Sequence, residues 1–276
     1  MDEGAITTDL LLNGRLQLRQ FQRGHRVGSD AILLAAATPL TDADRLIDIG
    51  AGVGAVGLAL AQRCFGARAT LVEIDPALAA LASENAALNG LSGRIDVAVA
   101  DFMAAVERRN AGLVSGAADI VVTNPPFFEA SAVRASPDAG RSRAHVLEEA
   151  GDGVHPLHRW IVAALALLAP GGCFVMIHRP EGLAPALAAF GRRLGSLAIL
   201  PIHPHANEVA HRVLIGGVKG ARGPLRLLPP LALHEANGSF TPLAEAIHRG
   251  EIAIDLGLQR ARASQKSRVD RPRARP

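Results

Sequence analysis

From Arg45 onward, short apolar runs alternate with longer segments in which apolar residues recur at helical spacing. This alternation of strand and helix is typical of a parallel sheet covered by helices on both faces. The predicted strands are Arg45–Ile49, Ala69–Ile74, Ile95–Ala100, Asp119–Thr123, Gly172–His178, Leu197–Ile202 and Arg212–Val218. The predicted helices between them are Val56–Cys64, Pro76–Leu88, Phe102–Arg109, Val154–Leu168 and Leu183–Leu194. The pattern therefore predicts an α/β fold with a doubly wound, Rossmann-like sheet of seven strands.

Three features refine this architecture near the ends of the chain. The link from Ile202 to Arg212 is short and has no helical pattern, so the last of the seven strands is expected to run antiparallel. An apolar run at Leu225–Leu233 and a helix starting at Pro242 predict an edge hairpin covered by a helix. At the amino end, Asn13-Gly14 separates two apolar-rich runs, which predicts a β-hairpin cap.

The expected organisation is a hairpin and helix cap over residues 1–40, a main domain over 41–258 and a tail over 259–276. The tail holds seven Arg or Lys residues against one Asp and is expected to be disordered. A second basic segment, residues 130–153, follows the fourth predicted strand and is interpreted as a substrate-binding lid. Both segments could attract phosphate backbones, although a tail that only aids solubility and an ordinary loop insertion are the alternatives.

Composition limits the roles that the aromatic, cysteine and histidine residues can have. Aromatic residues make up 3% of the chain and there is no Tyr, so each aromatic position is more informative than usual. Cys64 and Cys173 lie in apolar segments without metal-like spacing and are interpreted as small buried residues. The His203, His205 and His211 group lacks a completing carboxylate or thiol, so no metal is expected. No stretch is long enough to span a bilayer, and the expected location is the cytoplasm.

The strand at Arg45–Ile49 runs into a glycine turn that opens a helix. Glycines let a backbone approach a ligand closely and expose the amides at a helix start. The stretch Gly52–Gly57 also satisfies GxGxxG, the dinucleotide fingerprint, but this short motif alone is weak. The predicted cofactor-binding residues of this turn are Asp48, Gly50, Ala51, Gly52 and Gly54.

Acidic residues follow the next two strands. Glu73 ends the second strand, where a carboxylate can accept both hydroxyls of a ribose. Asp101 follows the third strand and could accept from the amine of an adenine, while the Phe102 ring lies against the purine. A cap for the following helix is the alternative for Asp101. Ribose and adenine occur in both NAD and S-adenosyl-L-methionine, so these residues alone do not separate the two cofactors.

The fourth strand breaks at Asn124-Pro125-Pro126-Phe127, because two prolines remove two backbone donors and fix φ. An aryl amine is a poor nucleophile, since its nitrogen lone pair is delocalised into the ring. Hydrogen bonds from both amine hydrogens, to the Asn124 side-chain oxygen and the Pro125 carbonyl, would free that lone pair for methyl transfer. Phe127 would stack on the base. These four residues are the predicted catalytic residues, and Asn124 is expected to border the cofactor as well.

Four stretches of the chain together resemble class I S-adenosylmethionine-dependent methyltransferases. Among these enzymes, the chain is similar to the bacterial tRNA adenine-N6 methyltransferases that modify the adenine beside the anticodon of valine tRNA. The resemblance spans roughly residues 8–250, with Phe127 where the family often has Tyr. It implies that Gly28 and Asp30 also line the cofactor pocket, and that the partner is nucleic acid, with tRNA the expected substrate. The sequence gives no information on oligomeric state. The matching stretches are Arg26–Leu34, Asp48–Gly54, Asn124–Phe128 and His211–Leu214.

Other functions remain open from sequence. The same tetrapeptide serves enzymes that methylate a protein glutamine amide at N5 or a guanine at N2. A nicotinamide-dependent oxidoreductase would explain GxGxxG but leaves Asn124-Pro125-Pro126-Phe127 without a role. A non-catalytic cofactor-binding protein is disfavoured because the tetrapeptide is intact.

Overall fold

The computed structural model describes residues 5–24, 26–126 and 153–259. Two strands, β1 and β2, form a hairpin, and nine further strands, β3 to β11, form the central sheet. The hairpin strands are β1 (Ile6–Leu11) and β2 (Leu16–Phe21). The strands of the central sheet are β3 (Arg45–Ile49), β4 (Arg68–Glu73), β5 (Ile95–Val99), β6 (Ala118–Thr123), β7 (Leu168–His178), β8 (Leu194–His205), β9 (Arg212–Lys219), β10 (Arg226–Leu227) and β11 (Leu231–His234).

Across the sheet the strands run in the order β5, β4, β3, β6, β7, β9, β8, with β10 and β11 pairing on the outer edge of β8. Neighbours are parallel except at β9, which is antiparallel to both β7 and β8. The predicted doubly wound sheet with an antiparallel last strand is therefore confirmed. The order reverses at β3, which pairs with β4 on one side and β6 on the other. In open α/β sheets, ligands bind at the carboxyl ends of strands at such a reversal.

Seven α-helices of the described chain cover the two faces of the sheet. They are α1 (Ser29–Ala37), α2 (Ala55–Arg63), α3 (Pro76–Leu88), α4 (Ala105–Asn110), α5 (Pro156–Leu167), α6 (Leu183–Phe190) and α7 (Pro242–His248). The buried side chains of α1, α2 and α3 belong to one apolar cluster, and those of α5 and α6 belong to a second cluster on the opposite face. None of the described helices is long and apolar enough to cross a bilayer.

The predicted amino-terminal hairpin is confirmed. Its turn places Asn13 at φ 57°, a left-handed conformation that asparagine tolerates better than most residues. Leu16 and Leu18 of β2 are fully buried in the first apolar cluster. Buried Asn85 of α3 pairs with both the N–H and the carbonyl of Arg19, and it also donates to the Val53 carbonyl at 3.0 Å. The hairpin is thus joined to the glycine turn through one amide side chain.

The structure corrects three local predictions. Residues 226–227 and 231–234 each pair parallel with β8, so the predicted edge hairpin is wrong, although the helix at Pro242 is present. Helix α4 starts at Ala105 instead of Phe102, because residues 102–104 form a turn closed by the Ala104 N–H on the Asp101 carbonyl at 3.0 Å. Helix α6 ends at Phe190, since Gly191 adopts φ 46°.

Candidate functional site

The turn after β3 is left-handed at three of its five residues, with φ of 68° at Gly50, 56° at Gly52 and 90° at Gly54. Residues that have a Cβ rarely adopt these backbone angles, which is why glycine recurs in this turn. The N–H groups of Gly50 and Ala51 donate to the Val72 carbonyl at 2.9 and 3.0 Å. The turn is therefore anchored to β4 at its first two residues.

Glu73 ends β4 and holds the far side of the same turn. One carboxylate oxygen accepts from the Gly52 N–H at 2.8 Å, and the other accepts from Ile74 and Asp75 at 2.9 Å each. The side chain is 8% exposed, so its position is well fixed. A carboxylate offers about four acceptor positions, and three are used here. One acceptor position therefore remains, and the role of Glu73 towards the hydroxyls of a ribose stays a prediction.

Asp48 lies beneath α2, one residue before the end of β3. Its Oδ2 accepts from the Gly57 N–H at 2.9 Å, and the side chain is 1% exposed. The pKa of the Asp48 carboxyl is raised to about 7, because burial and, to a smaller extent, the negative charge of Glu73 raise it more than the Gly57 hydrogen bond lowers it. A Cβ added to Gly57 would lie 2.2 Å from Leu71, so this glycine allows α2 to approach the sheet closely. The role of Asp48 towards the methionine part of a cofactor stays a prediction.

The Asp48 environment predicts a pH-dependent stability. Because its folded pKa lies above the ordinary value of 3.8, this group contributes stability at low pH that is lost as pH rises through about 7. Asp48→Asn keeps an oxygen for Gly57 but carries no charge, so the ligand-free variant should melt higher than the wild type at pH 8 and differ less at pH 5. Melting temperature between pH 5 and 8.5 measures this.

Asp96→Asn is the matched control for that experiment, since Asp96 is an exposed aspartate on β5. Its pH profile should follow the wild type. Parallel pH profiles for Asp48→Asn and the wild type would contradict the proposed cost of ionising Asp48.

Asp101 and Phe102 follow β5. Asp101 Oδ1 accepts from the Met103 N–H at 2.9 Å, and its own N–H donates to Glu107 at 2.7 Å. The carboxylate thus caps the turn ahead of α4. The N-cap of α4 itself is Ala104, so the alternative of Asp101 as the cap of that helix is wrong. The Phe102 ring is 4% exposed and packs edge-on against Trp160, with centroids 4.5 Å apart. The structure therefore gives Phe102 a packing role, and its stacking on a purine remains a prediction.

Gly28 and Asp30 lie at the start of α1. A Cβ on Gly28 would meet nothing within 4 Å, so the space in front of this residue is open. Asp30 accepts from Arg212 Nε at 2.8 Å, in an ion pair whose two side chains are about one-fifth exposed. Arg212 starts β9 beside the carboxyl end of β7, where Val213 pairs with His178. The ion pair therefore brings the start of α1 to the carboxyl edge of the sheet.

Asn124, Pro125 and Pro126 follow β6 directly, as predicted. Asn124 is partly exposed, Pro125 is buried and Pro126 is exposed. Because β3 and β6 are parallel neighbours with Ile49 opposite Thr123, Asn124 emerges next to Gly50. Phe127 and most of the predicted lid, and nearly all of the basic tail, lie outside the described residues.

Trp160 and Thr123 are site residues that the sequence did not assign to function. Trp160 Nε1 donates to Thr123 Oγ1 at 3.0 Å, and Thr123 Oγ1 donates to the Ile49 carbonyl at 2.8 Å. The sequence placed Trp160 in the core, which its 9% exposure confirms. The one sequence feature that could have indicated a role for Trp160 is the rarity of aromatic residues, since Trp160 is the single tryptophan of a chain without tyrosine.

The residues at this edge fit S-adenosylmethionine. A Cβ on Gly52 would meet nothing within 4 Å, so the glycine turn faces open space beside the Glu73 carboxylate. An acidic side chain beside an open glycine turn suits a ribose and a cationic sulfonium. No group of three or more His, Cys, Asp or Glu side chains able to hold a metal occurs among the described residues.

Comparison with known sequences also indicates a methyltransferase. The methyltransferase small domain family matches residues 24–153. A relative from Porphyromonas gingivalis is 31% identical over 247 residues, which cover 86% of this chain and 92% of the relative. A relative from Serratia proteamaculans is 31% identical over 238 residues, covering 83% and 85%. Both relatives are named tRNA1(Val) (adenine(37)-N6)-methyltransferase.

Solved structures agree in fold. The crystal structure of a predicted O-methyltransferase from Agrobacterium tumefaciens is 34% identical, with a TM-score of 0.68 over 82% of this chain and 98% of that chain. TYW2 of M. jannaschii in complex with AdoMet is 14% identical, with a TM-score of 0.53 over 79% and 88%, and shares the fold. The chain belongs to the methyltransferase small domain family of class I methyltransferases, and its cofactor is S-adenosylmethionine.

Proposed function

We propose that this enzyme transfers a methyl group to the exocyclic N6 of an adenine in tRNA. The observation that carries the proposal is the position of Asn124-Pro125 at the end of β6, beside the glycine turn and across from Glu73. The names of the curated relatives support adenine 37 of tRNA1(Val) as the first target to test.

In the proposed reaction, the Asn124 side-chain oxygen and the Pro125 carbonyl accept the two hydrogens of the adenine amine. The nitrogen lone pair is then free to form the new N–C bond as the S–C bond breaks, and the surplus proton leaves to solvent. Bound S-adenosylmethionine supplies the methyl group on a sulfonium, which is an excellent leaving group. No strong base is needed, so positioning supplies most of the help and can be worth roughly 7–11 kcal/mol.

The remaining predicted residues divide between the two sides of the site. We assign Gly28, Asp30, Asp48, the Gly50–Gly54 turn and Glu73 to the cofactor. Asp101 has one oxygen on Met103, and its second oxygen is assigned to the adenine amine of the cofactor. Phe127 is assigned to stacking on the substrate base. The basic residues of the lid and of residues 259–276 are assigned to phosphate contacts, with residues 1–40 as a cap on a main domain of 41–258.

An acceptor of a different chemical class is favoured by one finding, the name of the Agrobacterium relative as a predicted O-methyltransferase. A hydroxyl acceptor must lose its only proton to a base, whereas Asn124 and Pro125 supply two neutral acceptors. Two acceptors match the two hydrogens of an NH2 group, and for that reason we place an amine in the site. Glutamine N5 and guanine N2 are also NH2 groups, so the choice between these acceptors and adenine N6 is made by experiment.

The test is incubation of the full chain with S-adenosylmethionine carrying a labelled methyl group, in parallel with total tRNA, rRNA and release factors. Label is expected in tRNA, and Asn124→Ala should incorporate none above background. Incorporation mainly into release factors would overturn the RNA assignment in favour of glutamine N5.

A further inference from the structure

Trp160 lies where three strands of the sheet end. Its indole contacts the Phe102 ring, which follows β5, with the two ring planes at 78°. A Cβ on Gly50, which follows β3, would lie 3.1 and 3.2 Å from two carbons of the same indole. Its Nε1 donates to Thr123, the last residue of β6. One side chain on α5 therefore touches the cofactor turn, the residue after Asp101 and the residue before Asn124.

The Thr123 hydroxyl is the centre of a short relay. It accepts from Trp160 Nε1 at 3.0 Å and donates to the Ile49 carbonyl at 2.8 Å. Thr123 is fully buried, so water does not compete for these bonds. A buried hydroxyl costs free energy unless it is paired, and valine would fill the same volume without that cost. The two bonds explain why a hydroxyl is tolerated there, and they join α5, β6 and β3 at one atom.

The relay constrains the substrate side of the site through the backbone. Asn124 follows Thr123 directly, and Pro125 is buried, so the backbone between the relay and the two predicted acceptors is short. Misplacement of reacting groups by about 1 Å can cost on the order of 10²-fold in rate. A change in the direction of the Thr123 side chain would therefore also displace the Asn124 amide and the Pro125 carbonyl.

We propose that Trp160 is a positioning residue for methyl transfer, acting through Thr123 on the direction of Asn124 and through its ring on Gly50. This inference rests on the proposed role of Asn124 and Pro125. It predicts a loss of turnover with little loss of cofactor affinity, since the Glu73 contacts to the turn are made without Trp160.

Two conservative variants test the relay. Trp160→Phe keeps an aromatic ring but removes Nε1–H, and Thr123→Val keeps the side-chain shape but removes the hydroxyl. Each should lower kcat about tenfold, while the Kd for S-adenosylmethionine, measured by calorimetry, changes less than about threefold. Because both remove the same bond, the double variant should be no more than about twofold slower than the slower single variant. Multiplicative losses, or a kcat within twofold of the wild type in both single variants, would overturn the proposal.

Phe190→Leu is the matched control. Phe190 is a fully buried aromatic residue of the same apolar cluster, packed against Phe174 with ring centroids 5.8 Å apart. The Phe190→Leu variant should have a lower melting temperature than the wild type. Its kcat, calculated from the concentration of sites that bind cofactor, should be unchanged. If it lowers kcat as much as Trp160→Phe, the effect of Trp160 is general core packing and the proposal fails.

A second measurement does not depend on the acceptor. Trp160 is the single tryptophan, so the indole N–H gives one cross-peak in a ¹⁵N-labelled full chain. That proton should exchange slowly in the wild type, and exchange should accelerate in Thr123→Val. Unchanged exchange would refute the relay even if tRNA is the substrate. If the wild type instead methylates release factors, the RNA assignment fails, and the kcat comparison is made on that protein acceptor.

Discussion

Replacing Asn124 by alanine is expected to lower kcat for methyl transfer by at least about 10³-fold, at the upper end of the loss seen when one oriented polar group is removed from an active site. The truncation removes one of the two acceptors proposed to draw the amine hydrogens away from the lone pair. The cofactor contacts that we assign to Glu73 and the glycine turn do not involve this side chain, so the Kd for S-adenosylmethionine should change less than about threefold. Single-turnover rates and calorimetry measure the two quantities separately.

Asn110→Ala is the matched control for that variant. Asn110 is an exposed asparagine at the end of α4, and its truncation should leave both quantities unchanged. An Asn124→Ala enzyme with near wild-type turnover would show that the proposed mechanism is wrong. A large rise in the cofactor Kd with unchanged kcat would place Asn124 on the cofactor side alone.

Replacing Glu73 by alanine is expected to raise the Kd for S-adenosylmethionine by about 30-fold or more, since hydrogen bonds to a charged group contribute roughly 1.5–3 kcal/mol each. The variant would lose the proposed ribose acceptor and would leave the N–H groups of Gly52, Ile74 and Asp75 without their carboxylate. The glycine turn should then loosen, and the ligand-free protein should melt at a lower temperature. Calorimetric titration and thermal melting measure these two effects.

Glu73→Gln separates the two roles of the carboxylate. The amide keeps one oxygen for Ile74 and Asp75 but cannot accept from Gly52 with its nitrogen, so its Kd should lie between those of the wild type and Glu73→Ala. Glu84→Ala is the control, because Glu84 forms a surface ion pair with Arg19 that contributes little to stability. A Kd for Glu73→Ala equal to that of the control would remove Glu73 from the cofactor site.

Much of the fold could be predicted from local pattern. The apolar run at Arg45–Ile49 predicts β3 with its observed bounds, and Asp75-Pro76 predicts the start of α3 because aspartate caps and proline fits the first helical position. The Asn13-Gly14 pair predicts the hairpin. Local pattern failed where a tertiary contact decides the outcome. Residues 102–104 form a turn in which Phe102 packs on Trp160 of the distant helix α5, and β10 and β11 each pair with β8 and not with each other.

The candidate site shows the same division. The chemistry of a glycine turn, a carboxylate and Asn-Pro-Pro at successive strand ends can be inferred from residue type and order. The partners of those groups cannot, because they come from distant segments. Arg212 pairs with Asp30 across 182 positions of sequence, and Trp160 reaches Thr123 across 37. The burial of Asp48, which raises the pKa of its carboxyl, likewise depends on how closely α2 packs on the sheet.

The most direct test of the central claim is the identity of the methylated nucleoside. An unmodified tRNA1(Val) transcript is incubated with the enzyme and S-adenosylmethionine, digested to nucleosides and resolved by liquid chromatography with mass spectrometry. We expect N6-methyladenosine with the wild type and none with Asn124→Ala, and we expect none when adenine 37 is replaced by a purine that lacks the exocyclic amine. A methyl group found on guanine N2 or on a ribose hydroxyl, or no methylated nucleoside at all, would contradict adenine-N6 methylation.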